Sequence, residues 1–124
     1  MAAPIRVLEN QRMSMRDGVE LEADVYLPEG AGPFPVLLER TPYNRRGTNH
    51  ADRSRADPNP KSKPEIARSF AEAGYAYVLQ DCRGRYGSGG VFVKYLSEGA
   101  DGVDTLAWLM DQPWADGRIG TLGL

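Results

Sequence analysis

The stretch Arg118-Ile119-Gly120-Thr121-Leu122-Gly123-Leu124 reads as a buried strand, and the amino-acid sequence ends on it with no turn and no cap. A strand that closes on Gly-x is how the nucleophile elbow Gly-x-Ser-x-Gly opens, a motif that sets a serine on a sharp strand-to-helix turn. Gly123 and Leu124 supply its first two positions. The expectation is that whatever this strand delivers lies one residue beyond Leu124.

Working back from that strand, Glu98 to Asp111 puts Val103, Leu106, Ala107 and Met110 on one helical face. Glu98, Asp101 and Asp104 crowd its first turns, where the helix dipole favours them, and Pro113 with Asp116-Gly117 ends it. Asp81 to Gly90 is polar and glycine-rich, and follows a buried strand over Tyr75 to Leu79. Before that, Ile66, Phe70 and Ala73 stand at i, i+4 and i+7, which predicts an amphipathic helix over Glu65–Ala73, begun by Pro64 and stopped by Gly74. Asn44 to Pro64 carries Gly47, Pro58, Pro60, Pro64 and four arginines with no apolar period, and reads as a long loop. Val36 to Arg40 is a short strand closed by Thr41-Pro42.

Nearer the N-terminus, Gln11 to Met15 and Val19 to Leu27 flank Asp17-Gly18 as a β-hairpin. Val19, Leu21, Ala23, Val25 and Leu27 alternate there with Glu20, Glu22, Asp24 and Tyr26, which predicts one buried face and one wet face. A hairpin followed by strand, helix, strand, helix, strand predicts an α/β chain with parallel pairing and right-handed crossovers. Such sheets bind ligands at the carboxyl ends of their strands. Here those ends are Arg40 to Tyr43, Asp81 to Arg85, and whatever follows Leu124.

Composition narrows the function classes. With 124 residues, 41% hydrophobic and 26% charged, the chain is long enough for one globular core. A net charge of −2 lacks the electrostatic footprint of a nucleic-acid binder. Met1-Ala2-Ala3-Pro4-Ile5-Arg6 has no apolar leader, and no stretch approaches the ~20 apolar residues of a membrane span, so a cytoplasmic protein without membrane contact is expected. One cysteine, Cys82, excludes an internal disulfide and any multi-cysteine zinc site. No metal or cofactor is expected.

At the first strand end, Tyr43 is braced by Pro42 in Arg40-Thr41-Pro42-Tyr43-Asn44. A tyrosine held there can donate its hydroxyl to a developing oxyanion. From the local sequence alone, a half-buried tyrosine that packs its ring and wets its hydroxyl is the favoured reading. At the second, Asp81-Cys82-Arg83-Gly84-Arg85-Tyr86-Gly87-Ser88-Gly89-Gly90 matches neither Gly-x-Gly-x-x-Gly nor Gly-x-x-x-x-Gly-Lys-Ser/Thr, so it is read as a tight turn rather than a nucleotide loop. Asp81 and Arg83 are expected to support the site there, by pairing or by satisfying loop backbone groups, and Cys82 to be a small buried residue. His50, the only histidine, and Arg45, Arg46, Arg53 and Arg55 read as a solvated loop diluted by Asp52 and Asp57. Trp108 and Trp114 read as packing residues.

Met15-Arg16-Asp17-Gly18-Val19, Val25-Tyr26-Leu27-Pro28, Phe34-Pro35-Val36-Leu37-Leu38, Arg40-Thr41-Pro42-Tyr43-Asn44, Gln80-Asp81-Cys82-Arg83-Gly84, Tyr86-Gly87-Ser88, Asp101-Gly102-Val103-Asp104-Thr105 and Trp108-Leu109 occur in that order. Together they resemble the N-terminal portion of the CocE/NonD hydrolases, the cocaine-esterase-like relatives of the S15 X-Pro dipeptidyl-peptidases. The resemblance implies an α/β-hydrolase fold and a serine after the Gly-x pair matching Gly123-Leu124. It implies an oxyanion donor at Tyr43, which raises that reading over simple packing, with the triad's acid and base much later in the chain. Residues 1–124 are then expected to be the N-terminal part of an α/β-hydrolase domain, without nucleophile, acid, base, helical cap or C-terminal β-sandwich. The isolated chain is expected to be inactive and to need the remainder, and the complete enzyme to cleave acyl esters, amides or X-Pro peptides. The alternative is a non-catalytic α/β remnant or ligand-binding module.

Overall fold

The computed structural model describes residues 4–47, 62–90 and 98–122. Strands β1 (Ile5–Ser14) and β2 (Glu20–Pro28) pair antiparallel, with Met13 opposite Leu21. The expected Asp-Gly turn joins them: Gly18 takes φ +86°, and the Met15 N–H donates to Val19 O at 2.8 Å. A bulge between Leu8 and Gln11 turns Asn10 to φ +56°. Strand β3 (Phe34–Thr41) follows, then helix α1 (Lys63–Glu72), β4 (Ala76–Asp81), helix α2 (Glu98–Met110) and β5 (Ala115–Leu122).

The five strands lie in the order β1-β2-β4-β3-β5, with β3 parallel to both β4 and β5. The chain moves one way from β3 to β4, then back past β3 to reach β5. Two crossovers of one hand that travel in opposite directions place their helices on opposite faces. The cores agree: Ala67 and Ala71 of α1 pack with Tyr77 and Leu79, whereas Leu109 of α2 packs with Val36, Leu38 and Val78. Helix α1 begins at Lys63, two residues before the expected start, because Ser62 and Glu65 form a capping box. Gly74 at φ +104° follows its end.

Two expectations change. The second face of β2 is not wet: Glu22, Asp24 and Tyr26 are buried, since α1 and the chain after β3 cover that side. Helix α2 is rotated from the expected face, leaving Val103 and Met110 59% and 56% exposed. It buries Asp101, Thr105 and Leu109 instead. The two polar side chains are accepted there because both are bonded, Asp101 to Arg83 and Thr105 to Gln80. Among the described residues β5 pairs with β3 alone, and its residues are half-buried or exposed. No helix among the described residues is long and apolar enough to cross a membrane.

Candidate functional site

The carboxyl ends of β3 and β4 lie in register, Thr41 opposite Asp81, and the Cys82 N–H donates to Thr41 O at 3.0 Å. The chain leaves β3 towards the α1 face and β4 towards the α2 face, so a topological switch point falls between them, the place where open α/β sheets hold ligands.

At the end of β3, the Tyr43 N–H turns back to donate to Thr41 Oγ1 at 3.0 Å. Asn44 takes φ +78°, and its Oδ1 accepts from the Arg46 N–H at 3.0 Å. Between these two local turns the Tyr43 side chain is 55% exposed at the rim of the sheet.

Arg45, read from sequence as a solvated loop residue, is only 4% exposed. Its backbone N–H donates to Asp81 Oδ1 at 2.8 Å and its Nη1 pairs with Asp81 Oδ2. Its Nη2 donates to Glu22 Oε1 at 2.5 Å and to Asn10 Oδ1 at 2.9 Å, while Nε stands 3.2 Å from Asp24 Oδ2. The charges balance: Arg46 Nε donates to Asp24 at 2.8 Å and Arg12 pairs with Glu22 at 2.9 Å, so three carboxylates meet three guanidinium groups. Burial works against the Asp24 carboxylate, but the Arg46 and Asn10 hydrogen bonds with the Arg45 and Arg46 charges outweigh it and hold that carboxyl below its usual range. Burial likewise opposes the Arg45 charge, and Asp81, Asp24 and Glu22 overcome it.

The glycine-rich segment after β4 fits around this cluster. Ser88 Oγ donates to Asp81 O at 2.6 Å and accepts from the Glu22 N–H at 2.8 Å. Gly87 has no room for a side chain, since a Cβ there would run into Glu22 Oε1 and stand 2.6 Å from Arg45 Nη1. Arg85 Nε donates to Pro42 O at 2.9 Å, and its guanidinium lies 5.4 Å from the centre of the Tyr86 ring.

Asp81 and Arg83, expected together, take different partners. Asp81 holds Arg45 and also accepts from the Gly87 N–H at 3.3 Å. Arg83 donates to Asp101 at 2.7 and 2.9 Å and pairs with Asp17 at 2.9 Å, tying the β4 end to α2 and to the hairpin turn. Hydrogen bonds to Asp101 and Asp17 raise the Arg83 pKa further. Cys82 is buried, and the rings of Trp108 and Trp114 pack 6.4 Å apart. His50, Arg53, Arg55, Gly123 and Leu124 lie outside the described residues.

Two buried groups escaped the sequence reading. Lys63 Nζ donates to Glu39 Oε2 at 2.5 Å and Tyr77 OH donates to Glu39 Oε1 at 2.8 Å, which fastens the start of α1 to β3. Arg40 Nε donates to Gln80 Oε1 at 2.6 Å, and Gln80 Nε2 donates to Thr105 Oγ1 at 2.9 Å, which seats α2. Acidic residues at alternate positions of an otherwise apolar strand, Glu22 and Asp24, were the available signal for a buried cation.

A hairpin joined to a parallel β-α-β-α-β unit, with an exposed tyrosine at its switch point, is a segment of the α/β-hydrolase class of fold. The X-Pro dipeptidyl-peptidase (S15 family) profile matches residues 17–124, and the chain belongs to that family. It is 37% identical over 126 residues to the cocaine esterase of Rhodococcus sp. (strain MB1 Bresler), a match covering 95% of this chain and 19% of the relative. Among solved structures, an alpha-amino acid ester hydrolase superposes with a TM-score of 0.73 at 30% identity, over 98% of this chain and 21% of its own. A CocE/NonD family hydrolase from Staphylococcus aureus superposes at 0.76 over 99% of this chain and 26% of its own; at 21% identity it is a likeness of fold. The chain thus spans about a fifth to a quarter of the length of these relatives.

Proposed function

We propose that residues 1–124 are the N-terminal part of an α/β-hydrolase domain whose complete form cleaves esters or amides through an acyl-enzyme. In this reading a serine directly after Gly123-Leu124 attacks the acyl carbonyl, a histidine from later in the protein takes its proton, and Tyr43 donates its hydroxyl to the tetrahedral oxyanion. The observation that carries the reading is the place of Tyr43, two residues past the carboxyl end of β3 and beside the switch point, in a chain 37% identical to a cocaine esterase along nearly its whole length. Asp81 and Arg83 support the site from behind, Asp81 through Arg45 and Arg83 through α2.

The test is made in the full-length protein with a chromogenic acyl ester. Tyr43→Phe is expected to lower kcat by about a hundredfold or more, the scale for losing one oxyanion donor. An almost unchanged kcat would remove Tyr43 from the mechanism. The 124-residue chain alone is expected to give no turnover and no labelling by a serine-directed phosphonate, because in this reading it carries no activated serine.

A further inference from the structure

The loop that carries Tyr43 is held on one side by the last residue of β4 and on the other by the segment after it. On the near side, Arg85 Nε donates to the carbonyl of Pro42, the residue before Tyr43, at 2.9 Å. On the far side, the Arg45 N–H, two residues after Tyr43, donates to Asp81 Oδ1 at 2.8 Å while the Arg45 guanidinium is locked among Asp81, Glu22 and Asn10. The two anchors differ in kind. Arg45 is buried and fixed by charge. Arg85 is half-buried and lies against the Tyr86 ring, 5.4 Å from its centre, on a residue at φ +50°. A non-glycine residue in that region costs energy that its surroundings must offset, and such strain gathers where a side chain has to be aimed.

We propose that Arg45 and Arg85 are positioning residues that clamp the Pro42–Arg45 backbone and thereby fix where the Tyr43 hydroxyl stands before substrate arrives. This rests on the reading of Tyr43 as an oxyanion donor. A donor stabilises the transition state most when it needs no rearrangement at the moment of reaction, and a misplacement of about 1 Å can cost about a hundredfold in rate. The backbone on either side sets where the tyrosine side chain starts, so anchoring that backbone limits where its hydroxyl can stand. Removing one anchor should loosen the donor and leave the binding of substrate elsewhere untouched.

The deciding experiment is a double-mutant cycle in the full-length protein, with kcat and KM for a chromogenic acyl ester measured for Arg85→Gln, Tyr43→Phe and the two combined. Arg85→Gln is expected to lower kcat about tenfold to a hundredfold with little change in KM. In the Tyr43→Phe background it should lower kcat no further, since the donor it positions is already gone. Arg85→Lys, which keeps a cationic donor for the Pro42 carbonyl, should recover part of the loss. Arg45→Lys should repeat the non-additive loss, and if that variant does not fold, the Arg85 cycle decides alone. Equal losses in both backgrounds, or a kcat for Arg85→Gln within about twofold of the wild type, overturn the inference. Amide hydrogen exchange over residues 42–47 gives a readout independent of turnover: exchange about tenfold faster in Arg85→Gln supports the clamp, and unchanged exchange overturns it. If Tyr43→Phe alone leaves kcat unchanged, the oxyanion reading has failed and the inference falls with it, whereas an effect of Tyr43→Phe with none from Arg85→Gln sinks only the clamp.

Discussion

Arg45 and Arg16 use the same chemistry in two different solvents. Arg16 forks onto Asp104, Nη2 to Oδ1 at 2.8 Å and Nε to Oδ2 at 3.0 Å, and its backbone N–H adds a third bond at 2.9 Å. Its geometry is as good as any around Arg45. Yet the Arg16 side chain lies mostly in water, while Arg45 is sealed among three carboxylates from two strands. In water a broken ion pair is replaced by hydration on both sides. In the interior nothing replaces it, and the charges left behind must be desolvated without a partner. The difference between the two arginines is therefore a difference in what remains after one partner is removed.

The largest test of that difference is Arg45→Met, which leaves Glu22, Asp24 and Asp81 facing one another with Arg46 and Arg12 as the remaining cations. A loss of about 3–5 kcal/mol in urea unfolding is expected, the range for breaking a buried pair from one side. A loss below about 1 kcal/mol would mean that water reaches the cluster and that burial is not what distinguishes it.

This cluster is also where the sequence was least readable. The hairpin turn at Asp17-Gly18, the start of α1 near Pro64 and its stop at Gly74 were legible because each depends on residues within a few positions of one another. The α/β order was legible for the same reason. Arg45 was not, because its burial depends on Asn10, Glu22, Asp24 and Asp81, contributed by three strands. Nor was the buried face of α2, since apolar periodicity gives no weight to Asp101 and Thr105, which are buried because Arg83 and Gln80 reach them.

Acid titration should separate the two arginines next. Asp24 is held below its ordinary value in the fold, where the Arg46 and Asn10 hydrogen bonds and the neighbouring charges outweigh the cost of burial. A carboxylate whose folded pKa lies below the unfolded one, about 3.9 for aspartate, contributes stability that is complete above that value. The contribution is lost as pH falls through the folded value. Stability should therefore fall as pH drops below about 4, and Asp24→Asn should flatten that part of the profile. A variant profile as steep as the wild type would assign the acid sensitivity to other carboxylates.

The smallest effect is expected from Arg16→Ala, and its smallness is the informative part. Asp104 is lowered by the Arg16 hydrogen bonds and charge, and Arg16 is raised in turn, so the pair interacts in the folded protein. That interaction does not translate into stability where both groups regain hydration when they part, and where holding a long side chain in one place costs rotamer freedom. The midpoint of urea unfolding should stay within error of the wild type. What the pair does supply is a link between the turn after β1 and the exposed side of α2, so any effect should be local: faster amide exchange near Arg16, with the core protection unchanged. A clear shift of the global midpoint would show that α2 depends on this link for its seat, and would move the boundary between the two kinds of arginine from burial to position in the fold.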